Sequence, residues 1–281
     1  MSNMNRLDME TRARVVAALV EGNSLRATSR ITGVARMTVE KLLRDLGAAC
    51  HDYHDANVKN LKTKRVQADE IWAFCYAKAR NVTPEIKAKN PDAGDVWTWT
   101  AMDADSKLMV SWLVGDRTAS EAYALMYDVR SRIDNRIQLT TDGLTFYFKA
   151  VEAAFGADVD YAVLNKIYSG VGAGKTSSGR YSPAKFMGAT RTTMKGAPDA
   201  GHISTSFVER QNLTMRMHMR RFTRLTNGFS KKVDMHAAAV ALHFMHYNFC
   251  KVHTTLRVTP AMETRLSDHV WSIEELVRLL D

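Results

Sequence analysis

The chain has 281 residues, 46% of them hydrophobic and 25% charged, enough for one sizeable core with a smaller module beside it. No stretch approaches the roughly 18 uninterrupted apolar residues of a membrane span, and the opening MSNMNRLDMETRARVV lacks the apolar centre of a secretory signal, so a cytoplasmic protein with no membrane partner is expected. The net charge of +9 favours a polyanionic partner, while Cys50, Cys75 and Cys250 are too scattered for a disulfide framework or a cysteine zinc site.

Residues 8–21 read as a helix with Val15, Val16, Ala18 and Leu19 on an apolar stripe and Gly22-Asn23 as its stop. Ser24 can cap a second helix, 24–32, and Gly33 supplies a turn. A third helix from about Arg36 carries Val39, Leu42, Leu43 and Leu46 at the spacing of a buried face. The stretch SLRATSRITGVARMTVEKLL therefore looks like a helix-turn-helix, whose second helix presents its N-terminal residues to base edges. Arg36, Met37, Thr38 and Lys41 would be the readers, and Arg26, Arg30 and Arg44 would touch phosphates. Ala35 stands where a Ser cap would be expected, and the alternative is a helical packing module with a solvated basic face.

Residues 1–50 are thus assigned to this all-α module and 51–64 to a linker without sustained periodicity. The rest, 65–281, is expected to be the core. There 66–74 reads as a strand and 95–114 as a hairpin of two more, turning at Asp103-Ala104-Asp105-Ser106. A helix at 118–133, a strand at 137–141 ending on Asp142-Gly143, a helix at 146–155 and a strand at 161–168 follow. Three strands, helix, strand, helix, strand and more helix is the element order of a ribonuclease-H-like mixed α/β sheet, an analogy of fold and not of chemistry. Residues 169–204, rich in Gly, Ser and Lys, read as a mobile basic loop whose Lys175, Arg180, Lys185, Arg191 and Lys195 could contact DNA. The GAGKT within it lacks the first Gly of a phosphate loop, Ser169 standing there, and nucleotide hydrolysis is excluded.

Phosphodiester chemistry assisted by two divalent ions needs oxygen ligands that converge from distant positions. Asp69 in the first strand, Asp142 at the end of the fourth and Glu209 near the start of a helix at 207–222 could converge in this way, because the first and fourth strands would be neighbours. Each has a plain alternative as a turn residue or a helix-dipole partner. Glu70 competes with Asp69, and Asp103 and Asp105 read as solvated hairpin-turn residues. Between Thr205 and Lys232 stand seven Lys or Arg, including Arg216, Arg220 and Arg221, against the single acid Glu209, a strip suited to a phosphate backbone. His236, His243, His246 and His253 recur along the following helix, where packing against the sheet outweighs a zinc site. His202 and His218 are nearer Glu209 and could assist phosphate handling.

The segments QADEIWAF, TTDGLTFY, SFVERQNLTMRMHMRRFTRLTNGFSKK and HYNFCKVHTTLRVTPAM resemble the transposases of the insertion-sequence-one family, members of the Asp-Asp-Glu transposase and integrase superfamily. The resemblance covers most of 65–265. It implies Asp69, Asp142 and Glu209 as catalytic residues and ligands of two Mg2+ or Mn2+ ions, with Arg216 as the basic residue two turns after the Glu. It further implies double-stranded DNA, both transposon ends and target, as partner, a homo-oligomer that joins two ends, and a bacterial cytosolic, nucleoid-associated setting. The rival readings are a DNA-binding regulator that keeps the fold but does not cut, and a serine or tyrosine recombinase, for which no nucleophile neighbourhood stands out.

Overall fold

The computed structural model describes residues 6–168, 185–223 and 226–281. The expected DNA contacts of Lys175 and Arg180, and the GAGKT segment, lie outside them. At the N-terminus Asp8 caps α1 (Met9–Val20) by accepting from Thr11 N, and Ser24 caps α2 (Leu25–Thr32) by accepting from Ala27 N. α3 (Arg36–Asn57) starts after Ala35 without any side-chain cap.

α3 is longer than its apolar pattern implied. Residues 51–57, read as linker, are its last turns, because His54, although polar, extends the buried stripe beyond Leu46 and Cys50. His54 Nε2 lies 3.3 Å from the carbonyl of Met109, and Tyr53 packs edge-on against Phe249 and Trp271. The remaining connection is also held in place: Val58 and Leu61 are buried, and Leu61 bridges to Ile133.

The three N-terminal helices share one apolar core with the rest of the chain. α3 lies against α8 (Val233–Met245), and Gly47 makes the contact possible, since a Cβ there would stand 2.5 Å from the Ala238 Cα. Full burial of side chains such as Leu43 and Leu46 in that contact is worth about 1.5–3 kcal/mol each.

Among the described residues six strands form a single mixed sheet in the order β3-β2-β1-β4-β5-β6. β1 (Arg65–Cys75), β2 (Gly94–Asp103) and β3 (Met109–Gly115) make an antiparallel meander, with a short α4 (Pro84–Lys89) between the first two. α5 (Ala119–Arg132) returns the chain to β4 (Ile137–Thr141), parallel to β1. α6 (Phe146–Phe155) then leads to β5 (Val159–Tyr168), parallel to β4. α5 and α6 cover one face around Trp99, Leu125, Met126 and Tyr147. α7 (Ser206–His218) and α8 cover the other around Ile71, Val208, Met215 and Phe244. The chain ends in α9 (Pro260–Glu263) and α10 (Ile273–Val277).

Two expectations are corrected here. Part of the stretch read as loop is β6 (Phe186–Lys195), an edge strand antiparallel to β5. It is almost wholly exposed, so it lacks the alternation that marks a half-buried strand. Asp103 is buried, not solvated: its carboxylate accepts from Asp105 N at 2.9 Å and from Ser106 Oγ at 2.7 Å, building the turn, while Asp105 pairs with Arg65.

Candidate active site

Strand period and strand divergence together make the site. β1 and β4 pair only over Arg65–Gln67 and Gln138–Thr140. Beyond that the two strands part, and side chains from both faces of β1 reach the gap at the end of β4. Asp69, Glu70 and Asp142 meet there, each offering an oxygen, with all three atoms within 4.8 Å of one another. Asp142 sits in an Asx turn, its Oδ1 accepting from Leu144 N at 2.9 Å. Gly143 lets the exposed Asn165 side chain of β5 approach the turn, since a Cβ would stand 1.9 Å from its Oδ1 and push that side chain aside.

The three acids are not equivalent. Glu70 points into the α5/α6 layer, where its Oε1 accepts from Arg117 Nε at 2.9 Å and also from Nη2, and its Oε2 accepts from the Tyr147 hydroxyl at 3.2 Å. Arg117 itself lies over the Trp97 ring, 4.6 Å from its centroid. Asp69 points the other way, toward α7, and accepts from Asn212 Nδ2 at 2.7 Å. Burial pushes the Asp69 carboxyl up to about 7, with the charges of Glu70, Asp142 and Glu209 adding to the effect. Glu70 is also raised, again chiefly by burial, with Arg117 opposing the shift.

Glu209 lies outside the group of three, although its charge reaches Asp69. It stands in the first turn of α7, accepts from the Thr205 hydroxyl at 2.6 Å and is ion-paired with Lys166 of β5. The turn itself is pinned to the sheet, since Gln67 Oε1 accepts from Phe207 N at 2.9 Å and Val208 N at 3.2 Å. Gln67 and Asp69 are two residues apart on one face of β1 and therefore grip successive turns of α7.

This donor set fits a hard divalent cation. It is made of oxygens, it gathers negative charge that is costly to hold together without a cation, and next to it the buried Asn212 Oδ1 has no partner among the described residues. No comparable cluster of His, Cys, Asp or Glu occurs elsewhere among the described residues. The histidines of α8 are packed instead: His236 and His243 are buried, and His236 Nδ1 contacts Ser230 Oγ at 2.8 Å. His202 pairs with Asp199 at 2.7 Å, and His218 Nε2 lies 3.2 Å from Lys251 Nζ.

The other residues singled out in the sequence are placed as follows. Arg36, Met37, Thr38, Lys41 and Arg44 are exposed along one side of α3. Their charges are partly met, Arg36 by Glu40 at 3.3 Å, Lys41 by Asp45, and Arg44 by Asp234 at 3.5 Å. Arg216 is half-buried on α7 and Arg220 is exposed. Arg221 turns inward and donates to Ser230 Oγ at 3.1 Å, where burial lowers its pKa. Arg26, Arg36, Arg220, Arg221, Lys231 and Lys232 line a cleft of about 820 Å³ between the N-terminal helices and α8.

Sequence reasoning missed Lys166, Asn212, Gln67 and Arg117. Asn212 could have been found from its helical spacing to Glu209, and Gln67 from the two-residue period it shares with Asp69. Nothing local marks Lys166 or Arg117.

Residues 190–250, which include the second half of β6 and all of α7 and α8, match the family model described as IS1 transposase. Two solved structures show distant likeness. A piggyBac transposase synaptic complex with hairpin DNA aligns with a TM-score of 0.41 at 11% identity, over 97% of this chain and 69% of that one. A Mos1 transposase paired-end complex with left transposon end aligns with a TM-score of 0.25 at 13% identity, over 56% of this chain and 59% of that one. No curated protein matches the chain.

Proposed function

We propose that this chain, whose residues 190–250 match the IS1 transposase model, is an Asp-Asp-Glu transposase with a ribonuclease-H-like core. It would cut DNA at transposon ends and join the freed 3′ ends to target DNA. The observation that carries this reading is the meeting of Asp69 and Asp142 at the parting of β1 and β4, beside a helix that brings Glu209. The strand order and directions support the fold assignment.

Asp69, Asp142 and Glu209 are the residues that would hold Mg2+ or Mn2+, two ions in the full site. When bound, such ions activate the attacking oxygen and compensate charge on the leaving one. The chain's own part is alignment. Gln67 fixes α7 against β1, Asn212 holds the Asp69 carboxylate, and Thr205 orients Glu209. Lys166, paired with Glu209, and Arg216, seven residues further along α7, are the cations that would meet phosphate oxygens of the bound strand. Both displacements need only water or a 3′-hydroxyl as nucleophile, so no covalent protein intermediate forms.

The exposed side of α3 would read the terminal inverted repeats in the major groove through Arg36, Met37, Thr38 and Lys41, with Arg44 and Arg220 on the backbone, while Arg221, expected there from the sequence, is turned inward onto Ser230 Oγ. The helices α1 to α3, ending at Asn57 and not at residue 50 as the sequence suggested, would then be the end-recognition module and 65–281 the catalytic unit, working as a multimer because two ends must be joined together.

The test is a supercoiled plasmid carrying matched inverted ends, incubated with the protein and Mg2+. Nicking at the ends is expected, and Asp142→Asn should abolish it while DNA binding and helix content persist. Cutting without metal, or an Asp142→Asn protein as active as wild type, overturns the reading. Binding without any cutting would instead favour a regulator that has kept the fold.

A further inference from the structure

α7 carries a second group to the site besides Glu209. Asn212 follows one turn later, so the two side chains lie on the same side of the helix. Its side chain is buried, 4% exposed, and its two polar atoms are used unequally. Nδ2 donates to Asp69 Oδ2 at 2.7 Å, whereas Oδ1 has no hydrogen-bond partner among the described residues. A buried carbonyl left unpaired is costly, and this one differs from other unpaired buried atoms of the protein in that its own amide is hydrogen-bonded to a carboxylate of the acidic group.

The placement of Asn212 is also over-determined. Gln67 binds the first turn of α7 and Asp69 meets Asn212 in the next, so strand and helix cannot slip in register without losing both contacts. A neutral amide suits this point. It offers an oxygen toward a cation without adding another negative charge to a cluster whose acids already raise one another's pKa.

We propose that Asn212 is a member of the cation site: its N–H holds the Asp69 carboxylate in place, and its Oδ1 supplies a neutral oxygen donor toward the ion or a water on it. This rests on the metal-dependent reading above. Asn212 is a positioning residue for Asp69 and an uncharged complement to the acidic ligands.

The experiment is a Mn2+ titration of the full chain followed by electron paramagnetic resonance, with melting temperatures in EDTA and in Mn2+. Wild type would be compared with Asn212→Leu, Asn212→Asp and Asp142→Asn. Asn212→Leu should bind Mn2+ about 10–100-fold more weakly while keeping its fold in EDTA, the usual effect of removing a group that orients a ligand. Asn212→Asp should bind more tightly, melt lower in EDTA and gain more than wild type on adding Mn2+. A folded Asn212→Leu protein with wild-type affinity overturns the proposal. Should that variant fail to fold, an Asn212→Asp protein with unchanged affinity overturns it equally. Asp142→Asn separates the two levels: if it loses Mn2+ while Asn212→Leu does not, only the role of Asn212 falls. If Asp142→Asn keeps full affinity, the cation site itself falls.

Discussion

Asp69 and Glu70 are neighbours on β1, and the two-residue period of the strand sends them into different layers. Glu70 enters the α5/α6 side, where Arg117 and Tyr147 satisfy both of its oxygens and one of them brings a full positive charge. Asp69 enters the α7 side, where the side chain that donates to it is a neutral amide. Proximity alone would count both as ligands, since both have an oxygen within the same 4.8 Å group. The partners separate them: Glu70 is paired with the Arg117 guanidinium, whereas Asp69 is held by a neutral amide and would take its charge compensation from a bound cation.

The largest expected effect tests that distinction directly. Asp69→Asn should reduce Mg2+-dependent nicking at least 10³-fold, the scale of losing roughly 4 kcal/mol of charge stabilisation in the transition state. Glu70→Gln should leave nicking within about tenfold of wild type. If Glu70→Gln is folded yet as inactive as Asp69→Asn, the comparison breaks and Glu70 is a ligand.

The converse experiment reads stability. Arg117→Met leaves the buried Glu70 carboxylate with only a hydroxyl beside it, and because the Arg117 side chain is itself 40% exposed, urea unfolding should show a loss of about 1–3 kcal/mol, less than for a fully buried pair. Adding Glu70→Gln to Arg117→Met should recover much of that loss, because the stranded charge is then gone. A single mutant as stable as wild type would show that Glu70 does not depend on Arg117. Asp142→Asn gives the contrast: it relieves repulsion in the cluster and should not destabilise the metal-free protein.

The difference between the two acids also explains what could be read without coordinates. Strand β1, the Asp142-Gly143 turn and the Glu209 helix were legible because apolar period, turn chemistry and the family resemblance agreed at each. Which neighbour of the Asp69-Glu70 pair faces which layer was not, because Arg117 and Tyr147 lie 47 and 77 residues from Glu70 and carry no local signal. β6 was hidden by its exposure, and the last turns of α3 by polar residues that the fold nevertheless buries, His54 above all. Burial of polar groups depends on tertiary partners, which hydropathy along the chain cannot report.

Buried bases should obey the same rule as buried acids. Among the described residues no acid is paired with His236 or His243, and burial, with nearby basic groups such as Arg221 and Lys251 adding to it, lowers their pKa values to about 3. An unfolded histidine titrates near 6.5, so between pH 6.5 and 3 the unfolded chain binds protons that the folded chain refuses. Their stabilising contribution is therefore complete above pH 6.5 and lost as pH falls. Lowering pH from 7.5 to 5 should cost up to about 2 kcal/mol for each. Urea midpoints at the two pH values measure this, and His243→Phe should reduce the difference. An unchanged difference would mean that His243 takes up its proton within the fold.

Glu209 sharpens the comparison from the other side, with the smallest effect. Like Glu70 it has a cationic partner, Lys166, but this pair is partly exposed, with side-chain exposures of 25% and 40%, and such pairs are worth at most about 1 kcal/mol. A cation held so loosely can be exchanged for another, whereas Arg117 cannot leave Glu70 without stranding it. Lys166→Met should therefore tighten Mn2+ binding by no more than about fivefold, the factor corresponding to 1 kcal/mol, and should scarcely alter the melting temperature in EDTA. Nicking should nonetheless fall, because the same substitution removes a cation from the path of the phosphate backbone. Tighter metal with slower cutting is a pairing that loss of structure would not produce. If Mn2+ affinity is unchanged, Glu209 does not engage the ion, and the acids at the parting of β1 and β4 would have to hold it without help from α7's first turn.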